Sequence, residues 1–154
     1  LPKLNIICAK FGVALVIARG PSGCRASGAT KFISESKALL MLSFRHLSDD
    51  HFWFSFFHEA GHLLLHGKKA RFLEGDIEQS SKEEEANQFA ASELIPDTYA
   101  HKLETLPIDA HTVIRAAREI GISPGILVGQ LQHLGRVGPK QLNALKRRFR
   151  WKSA

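Results

Sequence analysis

The chain is poor in cysteine, has no long apolar run, and lacks acidic residues at its C-terminal end. Its two cysteines, Cys8 and Cys24, form neither a CxxC pair nor any metal-knuckle spacing. They read as reduced thiols of a cytoplasmic protein, with a Cys8–Cys24 disulfide left open. No stretch reaches the roughly 18 apolar residues that a bilayer span needs. There is no basic-then-apolar leader and no initial methionine, so the chain is expected to be a mature or excised piece of something longer. Repeats and low-complexity stretches are also missing. Hydrophobic residues make up 44% of the 154, enough for the core of one ordinary domain and too many for general disorder.

Residues 136–154 contain seven bases (Arg136, Lys140, Lys146, Arg147, Arg148, Arg150 and Lys152) and no acid. Residues 1–135 carry 14 Lys/Arg against 15 Asp/Glu, so the net +6 comes from this tail. The tail is expected to be a solvated helix end, where cations suit the helix dipole, in preference to a nucleic-acid contact.

Three apolar segments read as strands: Val13 to Ala18, the weaker Ala29 to Ile33, and Ala38 to Ser43. Helices are expected before Gly12, from Ser48 or Asp49 to His66, from Ser81 to before Pro96, and over Thr98–Leu103, His111–Ile120, Pro124–Leu134 and Pro139–Phe149. Strands followed by helices predict an α+β domain, with a small, mostly antiparallel three-stranded sheet.

His58-Glu59-Ala60-Gly61-His62 is an HExxH motif within a predicted helix. Residues four apart share a helical face, so both imidazoles can reach one metal ion. Glu59 projects beside them, placed to take a proton from water. Gly61 costs roughly 1 kcal/mol of helix stability against alanine, which makes sense where another backbone packs close. The extended motif with a third histidine needs glycine at 65 and histidine at 68, where the chain has Leu65 and Lys68. His66 lies about 12 Å along the axis from His58, too far to share its ion, and is read as a favourable helix-end charge.

The third ligand is therefore sought among Glu83, Glu84 and Glu85. At about 100° per residue, Glu83 shares a face with Ala86 and Ala90, Glu84 points nearly opposite, and Glu85 lies to the side. Glu83 is the choice and Glu85 the runner-up, with Asn87 as a hydrogen-bond partner for a histidine ligand. Glu93 is also placed on the inner face. Two histidines and one carboxylate leave zinc an open position, the arrangement of a hydrolytic site. Tyr99, His101, His111 and Arg45 are candidate oxyanion donors, and spacing selects none. A peptide substrate is expected to add as a strand at the sheet edge beside the site helix, on the strand leading into it.

Phe52 to His66, Glu83-x-x-Ala-Asn-x-Phe-Ala90, Leu94-Ile-Pro96, Ser27 to Thr30 and Ile120 to His133 together resemble the ImmA/IrrE zinc metallopeptidases. The resemblance implies a gluzincin-like fold with Zn2+ on His58, His62 and Glu83, and Glu59 as the base. It also implies an intracellular endopeptidase that cleaves or regulates a transcriptional repressor or antitoxin-type protein. Residues 1–135 would form the peptidase domain, and 136–154 a basic C-terminal helix or tail of the same domain. The DNA-binding domain that often precedes such peptidases would lie outside this chain. DNA would then be reached only through that missing domain, or weakly through the tail. No membrane partner is expected, and a homodimer stays open. The alternative is a non-catalytic regulatory or sensor module. Its feature is Ile114–His133, which reads either as helix-turn-helix or, preferably, as a plain helical hairpin.

Overall fold

The computed structural model describes residues 1–67 and 76–151, with backbone only for 76–79. Lys68 and Lys152 of the sequence reading lie outside the described residues. The chain divides into two compact units. One comprises Leu1–Arg45 and Ser55–Ala90, the other His46–Phe54 and Ala91–Ala154.

In the first unit, helix α1 (Pro2–Lys10) has proline in its opening turn, where the missing N–H costs nothing. Gly12 then takes a φ of +75° and turns the chain into strand β1 (Val13–Ile17). Strands β2 (Gly28–Phe32) and β3 (Ala38–Leu42) form a hairpin closed by the Ile33 N–H on the Lys37 carbonyl at 2.8 Å. The strand order is β1-β3-β2. The hairpin makes β2 antiparallel to β3, with Thr30 opposite Leu40, whereas β1 runs parallel to β3, with Val13 opposite Ala38. The sheet is thus mixed, and the expectation of a mostly antiparallel one is corrected. The reason lies in apolar content: Ala38, Leu40 and Leu42 are all buried, and the strand that carries them takes the centre.

Helix α2 (Asp49–Gly61) carries most of the HExxH motif. It does not continue as an α-helix to His66: residues His62–His66 form a π turn that ends at Gly67, φ +55°. Helix α3 (Asp76–Leu94) begins earlier than the expected Ser81.

In the second unit, helix α4 (Asp97–Thr105) is followed by α5 (Ala110–Ile120), capped by Asp109 accepting from the Thr112 N–H at 2.9 Å. Helix α6 (Pro124–His133) is capped by Ser123. Val113, Leu127, Val128 and Leu131 are fully buried, each stabilising the fold by about 1.5–3 kcal/mol. Gly125, Ile126 and Gln130 are buried as well.

The expected helix over Pro139–Phe149 does not form. Helical structure there is limited to a 3-10 turn at Asn143–Leu145. Gln132 Nε2 donates to the carbonyls of Pro139 and Gln141 and to Asn143 Oδ1 at 3.1–3.3 Å. Residues 147–149 instead run extended beside 47–49: the Asp49 N–H donates to the Arg147 carbonyl at 3.1 Å, and the Phe149 N–H to that of Leu47 at 2.9 Å. These tertiary bonds take groups that a helix would need. Among the described residues, no helix is long and apolar enough to cross a membrane.

Candidate metal centre

His58 lies in the last turns of α2, and His62 opens the π turn. Their Nε2 atoms are 3.1 Å apart. Glu83 comes from α3, with one carboxylate oxygen 3.3 Å from His58 Nε2 and the other 3.3 Å from His62 Nε2. One donor atom from each of the three lies within 4.8 Å of the other two.

Asn87, one turn after Glu83, accepts from His58 Nδ1–H through Oδ1 at 2.9 Å, as the sequence suggested. That bond fixes the tautomer and leaves His58 Nε2 bare toward the cluster. Burial holds the His62 imidazole below its ordinary pKa, helped by the charges of His58 and His66 and opposed by Glu83. The neutral ring is the form that ligates a metal. Two imidazoles and a carboxylate converging in this way make a donor set that fits a divalent cation.

Of the three glutamates, Glu83 is the one that reaches the two histidines. Ala86 and Ala90 are wholly buried, Glu84 accepts from Gln88 at 3.0 Å, and Glu85 lies 3.7 Å from His66 Nδ1. Glu83 faces the histidines from a half-exposed position. Glu93 is exposed, which corrects its placement on the inner face. Phase alone leaves it only about 20° from the buried Ala86, so its exposure is not set by the helix period.

Gly61 meets its expected neighbour: a Cβ there would lie 3.3 Å from Ala86 Cα and 3.1 Å from the Phe89 ring. The α3 backbone approaches the site because that position is bare. Gly28 does the same for Glu59 and was not singled out from spacing. A Cβ at Gly28 would come within 2.5 Å of both Cγ and Oε1 of Glu59. No motif signals such a seat, since it joins a strand to a helix far away in sequence.

Glu59 is 7% exposed. Burial pushes its carboxyl up to about 7, the Thr30 hydroxyl that donates to it pulls the other way, and the negative Glu83 adds to the rise. A carboxyl poised near neutrality can both take and return a proton.

Two of the oxyanion candidates have hydrogen-bond partners within their own units. Tyr99 donates to the Glu119 carbonyl at 3.4 Å, and Arg45 to that of Arg25 at 2.8 Å. His101 and His111 are exposed. Cys8 is free and buried, Cys24 free and exposed.

No curated protein matches the chain. A family profile does: the IrrE N-terminal-like domain of the M78 peptidases matches residues 25–131, more than half of the chain, and includes all four residues of the site. Such a family implies a metal, which the His58, His62 and Glu83 donor set can receive. With its fold, its cluster and this match, the chain belongs to the IrrE N-terminal-like family and is a metallopeptidase-type domain.

Proposed function

We propose that this domain is a zinc-dependent endopeptidase whose substrate is a regulatory protein of the repressor or antitoxin type. The observation that carries the reading is a buried Glu59, its carboxyl raised to about 7, beside three converging donors. His58, His62 and Glu83 would hold the ion. Zinc bound there would polarise a peptide carbonyl and make water easier to deprotonate. Glu59 takes the proton from the attacking water and delivers it to the leaving nitrogen. Gly28 and Thr30 keep that carboxylate in place, the first by leaving room and the second by its hydroxyl.

Strand β3 is paired on both sides, so it cannot accept a substrate strand as the sequence reading had it. Strand β2 is paired to β3 alone among the described residues and carries Gly28 and Thr30. An extended peptide laid along β2 would gain main-chain hydrogen bonds with little demand on sequence. Family resemblance supports a regulator as substrate and an intracellular setting.

The test is incubation of zinc-loaded protein with a repressor encoded beside its gene, comparing wild type with Glu59→Gln. Wild type should cut, and the variant should keep zinc while losing about 10²–10⁴-fold in rate. Equal cutting by the zinc-loaded variant would remove Glu59 from the mechanism.

A further inference from the structure

We propose that His66 is a positioning residue that aims Glu83 at the metal through the backbone of α3. This rests on the reading of His58, His62 and Glu83 as metal ligands. His66 is not one of the clustered donors. Its Nε2 lies 3.0 Å from the carbonyl oxygen of Lys82, the residue directly before Glu83. A carbonyl can only accept, so Nε2 carries the proton and donates. A carbonyl oxygen has two lone pairs, so it can accept from the imidazole and still serve the helix.

The local backbone is arranged around this bond. In a regular α-helix His66 would fall about 40° past His62, on nearly the same face. The π turn His62–His66 winds more slowly and carries His66 to the other side of His62. The result runs against simple burial of apolar groups. The His66 side chain is 5% exposed, while Leu64 is 71% and Leu65 51% exposed. Burying a leucine is worth about 1.5–3 kcal/mol, so apolar burial does not organise this turn. A buried polar ring satisfied by Lys82 does. Glu85, 3.7 Å from His66 Nδ1, borders the opposite edge of the ring. The bond thus ties the stretch that follows one ligand, His62, to the residue that precedes another, Glu83.

The experiment measures zinc affinity by chelator competition, and the visible spectrum with Co2+, for wild type, His66→Phe, His66→Met and His66→Gln. The phenylalanine keeps a ring without a donor. Glutamine places a donor near the position of Nε2, and methionine has its length without one. Zinc affinity should fall 10–100-fold in His66→Phe and His66→Met, with an altered Co2+ spectrum, and return to within about threefold of wild type in His66→Gln. The Gln/Met pair decides the matter if the phenylalanine variant does not fold. Wild-type affinity in His66→Met, or equal weakening in His66→Gln and His66→Met, overturns the positioning role and leaves the metal site standing. Loss in His66→Gln as complete as in His62→Gln would make His66 a ligand and also overturn it. A wild-type chain that binds neither zinc nor Co2+ removes the metal reading, and this proposal with it.

Discussion

Glu59 and Asp50 sit on the same helix, each 7% exposed and each pressed against a glycine. A Cβ on Gly28 would lie 2.5 Å from Glu59 Cγ, and one on Gly129 would lie 2.7 Å from Asp50 Cβ. Their protonation nevertheless goes opposite ways. Burial works to raise the Asp50 carboxyl, but Lys146, whose ammonium is 2.6 Å away, joined by the Ser48 side chain and His51, holds the group below the usual carboxylate range. Among the described residues Glu59 has the Thr30 hydroxyl and the negative Glu83 for neighbours, so burial prevails and the carboxyl rises to about 7. Burial therefore does not make a general base by itself. Among the described residues it is Asp50 that has a cation against it, and that paired carboxylate reads as structure.

Asp49 completes the structural seat. It accepts from Ser123 Oγ at 2.6 Å and from the Arg147 N–H at 2.9 Å. Gly125, four residues before Gly129, leaves room for its carboxylate. The two glycines give α6 one bare face for two adjacent acids.

The comparison breaks most forcefully at Lys146. Lys146→Met should strand the buried Asp50 charge and destabilise the protein by about 3–5 kcal/mol, read as a lower denaturation midpoint. A shift within 0.5 kcal/mol would mean that Asp50 is neutral in the fold. Next is Gly28→Ala, which should displace the Glu59 carboxylate, cost about 10²-fold in kcat/KM and leave bound zinc unchanged. Unchanged turnover would show that Glu59 needs no such seat. Gly125→Ala is its structural counterpart, expected to cost about 1–3 kcal/mol of stability, with zinc content unaffected.

Acid titration gives the finest contrast, because the two carboxylates predict opposite signs. Asp50 has a depressed folded pKa. Its stabilisation is complete above the unfolded value of about 3.9 and is lost as pH falls through the folded one. Glu59 has a raised folded pKa of about 7. Its ionisation penalises the metal-free fold increasingly from about pH 4.3 up to 7 and fully above that. Metal-free Glu59→Gln should therefore melt higher than wild type at pH 8, with the gap closing toward pH 4. The deficit of Lys146→Met should shrink below pH 4. Parallel pH curves for Glu59→Gln and wild type would contradict the assignment for Glu59.

The clustering of His58, His62 and Glu83 was legible in the sequence because both of its clues are local. HExxH spacing and the phase of Glu83 against Ala86 and Ala90 depend on one helix at a time. The α+β class was readable for the same reason, since periodicity and turn residues mark elements separately. What stayed hidden depends on pairing between distant segments. Strand order required knowing that β3 is the buried centre. The seats at Gly28, Gly125 and Gly129 join residues remote in sequence. The basic tail misled most: its charges suggested a solvated helix, but Lys146 is an internal counterion, 6% exposed, in a segment whose backbone bonds to residues 47–49.

The central claim is that His58, His62 and Glu83 form one metal site, with the neighbouring glutamates outside it. Bound zinc per chain, measured after dialysis against a mild chelator for Glu83→Ala, Glu84→Ala and Glu85→Ala, tests it most directly. Glu83→Ala should come out empty because one of three protein ligands is gone. Glu84→Ala should keep zinc like wild type, and Glu85→Ala should keep most of it, since Glu85 borders His66 rather than the cluster. Zinc retained in Glu83→Ala, with Glu85→Ala empty, would contradict the account and mean that α3 presents a different face to the histidines.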